Sequence, residues 1–220
     1  VTPQELISKL YEYNEHIDSD NHNAVSVTTL LGPMWKAKLY LEKAERDVSL
    51  VKRMYKRSSM IGSAIHSWAE KALGNDKSVT QEVYKERFVE VEGCMYTISG
   101  SCDLIVSAED KDYIADWKSG YGKERGTAAL DKDRMQMSMY RWLNQDDYDL
   151  DDTAYSIFIS QSNNIEIPYP VVLEDLDDVQ FFIEEKLFAI SQTDSCDCFD
   201  NVKYNPCNYC DFVCENRKSK

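Results

Sequence analysis

Glycine and proline are scarce, with 8 and 5 among 220 residues. That excludes a collagen-like chain. With 43% hydrophobic and 11% aromatic residues, it also argues against global disorder and for a buried core. No run approaches the ~18–20 consecutive apolar residues that a membrane span needs. No basic stretch followed by an apolar one opens the chain, so an export signal is not expected, although Val1 leaves a removed leader open. No G-x-x-x-x-G-K-[ST] segment is present, so no nucleotide-driven motor is expected. Internal repeats and low-complexity runs are also missing.

Positive charge is in deficit: 25 Lys and Arg face 39 Asp and Glu, for a net charge of −14. The deficit is local. Residues 146–200 hold 15 carboxylates and a single lysine, Lys186, which accounts for the whole imbalance. Residues 31–60 carry Lys36, Lys38, Lys43, Arg46, Lys52, Arg53, Lys56 and Arg57 against Glu42, Glu45 and Asp47. Such a basic face can meet phosphates, or can be a solvated helix surface. The length fits one large domain, or one domain with an appendage. We place the boundary at 195/196, because five of the seven cysteines crowd between 196 and 214. Without an export signal, that crowding reads as metal binding rather than a disulfide frame.

Apolar spacing predicts helices over 3–16, over a stretch after Ser26 broken near Gly32-Pro33, and over 59–73 with Gly74-Asn75-Asp76 as the stop. Extended patterns follow over 83–91, 96–106 and 113–117, read as a three-strand meander. A glycine-containing loop over 120–126 leads to a helix over 127–143. A second hairpin, 153–159 with 165–171, precedes a helix over 176–190. The expected fold is α/β, a mixed central sheet flanked by helices, with a cysteine-rich C-terminal tail.

Asp103 and Asp116 lie at the ends of neighbouring strands. Two carboxylates brought together repel unless a cation lies between them, and an oxygen-rich site suits Mg²⁺ or Mn²⁺. Lys118 follows Asp116 at the strand period of two, which puts its ammonium on the same face. There it can orient an attacking water or stabilise charge on a phosphate. His66 and Glu70 share a helix face at i,i+4, as do Gln136 and Tyr140. Gly62, Ser63 and Ala64 would let the first of these helices pack closely on a sheet. His66 could complete a His/Asp/Asp metal site, with Glu70 behind it. Each element also has an ordinary reading: an edge-strand charge pair, a hydrogen-bonded core histidine, a polar helix rim.

The order Gly62…His66…Glu70, Gly100-Ser101-Cys102-Asp103, Asp116-Trp117-Lys118, Gln136…Tyr140 resembles the RecB-like branch of the PD-(D/E)XK nuclease superfamily. The motifs cover about residues 26–143, and Ser26-Val27-Thr28-Thr29-Leu30 resembles the serine-led segment that opens many such domains. The resemblance implies a metal-dependent deoxyribonuclease, expected to be an exonuclease, acting in recombination, repair or replication. His66, Asp103, Asp116 and the Trp117 carbonyl would be metal ligands, and Lys118 would assist the attacking water. Gln136 and Tyr140 would position the scissile strand, and Glu86 would add a further carboxylate. The implied partners are DNA and a helicase or another recombination or replication protein, inside a cell, with a viral source open.

The tail offers Cys196, Cys198, Cys207, Cys210 and Cys214 for Zn²⁺ or an iron–sulfur cluster. Relatives with a [4Fe–4S] cluster use one early cysteine, but none stands near Gly32-Pro33-Met34-Trp35. Cys94 and Cys102 are expected to be packed thiols. Rival readings are a CRISPR-adaptation-type nuclease that trims DNA ends, a catalytically idle DNA- or protein-binding module of the same fold, and a metal-sensing or interaction protein organised by the tail.

Overall fold

The computed structural model describes residues 24–44, 53–108, 110–162 and 166–193, with side chains from residue 59 onward in the helix that begins at Arg53. The five tail cysteines, the boundary at 195/196 and the helix expected over 3–16 lie outside the described residues.

The element order is β1 (Val25–Ser26), α1 (Val27–Leu30), α2 (Met34–Leu41), α3 (Arg53–Leu73), β2 (Val79–Val91), β3 (Cys94–Ser107), β4 (Asp112–Gly120), α4 (Thr127–Asn144), β5 (Thr153–Ser160), β6 (Glu166–Val172) and α5 (Leu176–Gln192). Ser26 caps α1, its hydroxyl accepting from the Thr29 amide at 3.1 Å, and so satisfies a donor that the helix itself cannot. Gly32 and Pro33 then separate α1 from α2, as the sequence implies. The sheet is mixed and ordered β1-β3-β4-β5-β6, with β2 on β3. β2, β3 and β4 form the expected antiparallel meander, and β5 and β6 the expected hairpin, while β4 runs parallel to β5.

The fourteen-residue β3 organises the sheet. β2 covers its whole length from one edge. On the other edge, β1 pairs at Ile98–Ser99 and β4 only from Leu104 onward. Gly100 to Asp103 is thus the stretch where β1 has ended and β4 has not yet joined. A two-residue turn at Glu92-Gly93 sets the β2–β3 register, with φ of 50° and 78° at its two residues, as a type I′ hairpin requires. The ladder runs out from Val91↔Cys94 and skips one position, Glu82 opposite Asp103, where Glu82 adopts φ 49°.

One apolar core joins the sheet to α4 and α5. Its fully buried large side chains include Leu30, Ile98, Ile105, Ile114, Met137, Met139, Ile183, Leu187 and Ile190, each stabilising by roughly 1.5–3 kcal/mol. Gly100 marks where β3 and α4 touch. A Cβ there would come within 2.9 Å of Tyr140 and 3.0 Å of Leu143 and Val27. Gly62 in α3 differs: a Cβ there meets nothing within 4 Å, and Ser63 and Ala64 are exposed. The close packing expected of that glycine is not what α3 uses, since the buried residue on its following turns is Ala69. Cys102 is buried as expected, but Cys94 is exposed because it opens β3 beside the hairpin turn.

The acidic segment is partly neutralised where it begins. Asp146, Asp147 and Asp149 pair with Arg87, Lys85 and Lys111 at 2.8, 2.7 and 2.6 Å. Lys38 of the basic stretch reaches the Thr193 carbonyl and so ties α2 to the end of α5. Among the described residues, no helix is long and apolar enough to cross a membrane.

Candidate active site

β3 and β4 deliver the two aspartates where their ladder opens. Pairing stops at Leu104↔Ala115, one position short of Asp103 and Asp116. The amide of Trp117 donates instead to the Asp103 carboxylate at 2.8 Å. From Ala115 onward β4 pairs with β5, with Asp116 beside Ser156, so Asp116 is sunk inside the sheet. It is 1% exposed. Lys118 lies two residues on, as the strand period requires, and its ammonium is 2.5 Å from Asp116 Oδ2. The buried carboxylate is thus charge-paired inside the sheet, and no other donor reaches that oxygen.

Lys118 is held from its other side. Its Nζ donates to Gln136 Oε1 at 3.0 Å, and Gln136 Nε2 donates to Tyr140 Oη at 2.8 Å. Both α4 residues are buried. Gln136 reaches the lysine directly, and Tyr140 reaches it through Gln136. Burial, with the nearby Asp116 charge adding to it, holds the Tyr140 phenol far above its usual range. It therefore stays protonated, accepts from Gln136 and retains its own proton to donate.

His66 arrives from α3. Its Nδ1 is 3.5 Å from Asp103 Oδ1 and 3.7 Å from Glu82 Oε1, beyond ordinary hydrogen-bond length. His66, Glu82 and Asp103 offer ligand atoms that all lie within 4.8 Å of one another. Glu82 was not singled out in the sequence. It is the glutamate grouped with His66 and Asp103, and neither Glu70 nor Glu86 is part of that group. Glu70 is exposed one helical turn beyond His66, with its backbone carbonyl accepting from Gln81. Glu86 is exposed too, accepting from the Tyr84 hydroxyl, and lies about 13 Å further along β2 than Glu82. Ser101 donates to Glu82 at 3.2 Å. A residue other than glycine at φ 49° is unusual and costs about 1–3 kcal/mol when surroundings enforce it.

These groups repel one another. Burial first, then the Asp116 charge, raises the Asp103 pKa to about 8, against which the Trp117 amide acts. Asp116 is also raised by burial, which the Lys118 ammonium opposes. Directly opposed like charges across two strands destabilise a sheet. A hard divalent cation fits this donor set of carboxylate oxygens and one imidazole, and would relieve the repulsion between them. His66, Glu82 and Asp103 are grouped closely enough to hold it, with Asp116 beside them.

A second polar group stands behind the first. Arg125 makes a bidentate pair with Asp133, at 2.8 and 2.7 Å, and Ser156 donates to the same carboxylate at 2.9 Å. Asp133 is 2% exposed. Neither residue was picked out in the sequence.

Comparisons with known proteins agree with this geometry. A family model described as the PD-(D/E)XK nuclease superfamily matches residues 14–214. The CRISPR-associated exonuclease Cas4 of Saccharolobus solfataricus is 27% identical over 139 residues, 63% of this chain and 65% of that protein. The match thus spans just under two thirds of the curated relative's length. The crystal structure of SSO0001 shares the fold, with a TM-score of 0.61 over 86% of this chain and 85% of that one, at 21% identity. With the family match running through both aspartates, the lysine and the helix behind them, the chain belongs to the PD-(D/E)XK nuclease superfamily.

Proposed function

We propose that this protein hydrolyses phosphodiester bonds in DNA, acting from DNA ends with Mg²⁺ or Mn²⁺ held by His66, Glu82, Asp103 and Asp116 and by the Trp117 carbonyl. One observation carries the reading: a buried Asp116 paired with the Lys118 ammonium at 2.5 Å, beside the His66/Glu82/Asp103 group. When bound, a divalent cation supplies Lewis acidity, lowering the pKa of a coordinated water and offsetting charge on the phosphate.

The chain's own residues do the rest. Gln136 orients the Lys118 ammonium, so that it can hold an attacking water or meet the charge that builds on a phosphate oxygen. Tyr140 fixes the Gln136 amide in that orientation. Pre-oriented donors of this kind contribute about 10²–10³ in rate. Action from ends is supported by the likeness to a CRISPR-associated exonuclease, which equally favours trimming of DNA ends as the cellular task.

The test is cleavage of end-labelled linear DNA, single- and double-stranded, alongside a closed circle, with Mg²⁺ or Mn²⁺ added. Linear DNA is degraded and the circle survives. Asp116→Ala and Lys118→Ala each lose at least about 10²-fold in rate. Full activity in either variant overturns the assignment.

A further inference from the structure

The Arg125–Asp133 pair takes no part in the chemistry proposed above, and its carboxylate is too deeply buried to meet a substrate. Its contacts lead instead to the elements that carry Asp116, Lys118 and Gln136. On β5, Ser156 donates to Asp133 Oδ2 at 2.9 Å, and Ser156 is the β5 residue in register with Asp116. The Arg125 guanidinium lies 5.9 Å from the centre of the Phe158 ring, and Phe158 is in register with Lys118. The pair thus holds β5 at the two positions beside Asp116 and Lys118, about 5 Å across the ladder from them. On α4, Asp133 stands three residues before Gln136 and so on the same helix face. In the loop that leaves β4, the Arg125 amide also donates to Tyr169 of β6 at 3.1 Å.

Fold stability alone does not require such a pair. Well-packed apolar side chains of similar volume often hold a fold as well or better, because no charge has to be desolvated. What they lack is direction. Arg125 donates from Nη2 to Oδ1 at 2.7 Å and from Nε to Oδ2 at 2.8 Å, and a bidentate pair of this kind fixes angle as well as distance. The other ion pair that anchors α4, Arg134 with Glu174 at 3.0 Å, is far more exposed and ties the helix to the segment after β6, not to β4 or β5. A small slip of α4 along the sheet would carry Gln136 Oε1 away from Lys118 Nζ, now at 3.0 Å.

We propose that Arg125 and Asp133 are positioning residues of the nuclease site: the pair fastens α4 to β5 in the register that aims Gln136 at the Lys118 ammonium. This inference rests on the nuclease reading above and adds to that site two residues that act only through others.

The experiment compares the wild type with the apolar double variant Arg125→Met/Asp133→Leu and with Ser156→Ala, all as the full chain. It measures thermal unfolding, kcat and KM on end-labelled linear DNA with Mn²⁺, and the NMR signal of the Gln136 side-chain amide in metal-free protein, assigned by its loss in Gln136→Met. The double variant melts close to the wild type and keeps its KM. Its kcat falls about 10- to 100-fold, as expected of a displacement on the order of 1 Å, and the Gln136 amide exchanges faster with water. Ser156→Ala keeps the ion pair, moves the same signal and lowers kcat by less. A folded double variant with wild-type kcat, or one that raises KM and spares kcat, overturns the proposal. If the double variant does not fold, Ser156→Ala decides: a Gln136 signal that moves supports the proposal, and an unmoved one overturns it. If the wild type cleaves no DNA while the Gln136 signal still responds, the nuclease reading fails and the positioning contact stands. If cleavage proceeds with kcat indifferent to both variants, only the positioning role fails.

Discussion

Lys118 and His66 approach the same pair of aspartates from opposite flanks, and the two flanks are built to different tolerances. On the α4 flank, Lys118, Gln136 and Tyr140 form a chain of hydrogen bonds at 3.0 and 2.8 Å, in which the glutamine and tyrosine are buried. On the α3 flank, the side chains of His66 and Glu82 keep 34% and 49% of their exposure, and the contacts are 3.5 and 3.7 Å. The packing repeats the contrast: Gly100 lets α4 press against β3, whereas Gly62 has open space around it. The lesson is a division of labour. The protein fixes its cationic group in advance by its own hydrogen bonds, and holds the candidate ligands His66 and Glu82 more loosely.

Substitutions on each flank sharpen that contrast. The largest loss of stability is expected from Arg125→Ala. It strips Asp133 of its bidentate partner while the carboxylate stays buried, which typically costs about 3–5 kcal/mol. Thermal unfolding of the metal-free protein reads this directly, and a variant that melts like the wild type would show that the α4 flank is not pre-organised by this pair. Gly100→Ala comes next, at about 1–3 kcal/mol for forcing a methyl against Tyr140 and Leu143. It should also lower kcat by disturbing Tyr140. Glu82→Gln should leave folding intact and weaken Mn²⁺ binding about 10-fold or more, as loss of a ligating or supporting carboxylate does; unchanged affinity would remove Glu82 from the site. The smallest effect is on α3, where Gly62→Ala should stabilise by up to about 1 kcal/mol through helix propensity. A destabilised Gly62→Ala would mean that this flank is packed after all.

Much of this was legible before the structure. Strand alternation places Lys118 beside Asp116, and the i,i+4 rule places Gln136 over Tyr140. The meander and the second hairpin follow from turn residues between apolar runs. Glu82 was missed because it lies among many charged residues on β2, where no local signal sets it apart. Counting outward from the Glu92-Gly93 turn could have found it: Val91 meets Cys94, and nine residues further Glu82 meets Asp103. The Arg125–Asp133 pair was invisible for another reason. It joins a loop to a helix eight residues later, a spacing that belongs to no periodic element.

Calorimetric titration of Mn²⁺ at several pH values reads cation binding by the His66/Glu82/Asp103/Asp116 group. Asp103, raised to about 8, is mostly protonated at pH 6 in the metal-free protein and gives up that proton progressively as pH passes through about 8. The same shift makes metal-free stability fall as pH rises from about 4 to about 8, because the folded state binds the proton more tightly than the unfolded chain. Binding should therefore release protons and tighten as pH rises from 6 to 8.5, and Asp103→Asn should abolish it. Wild-type protein that shows no saturable binding, or binding indifferent to pH and to Asp103→Asn, would contradict the account.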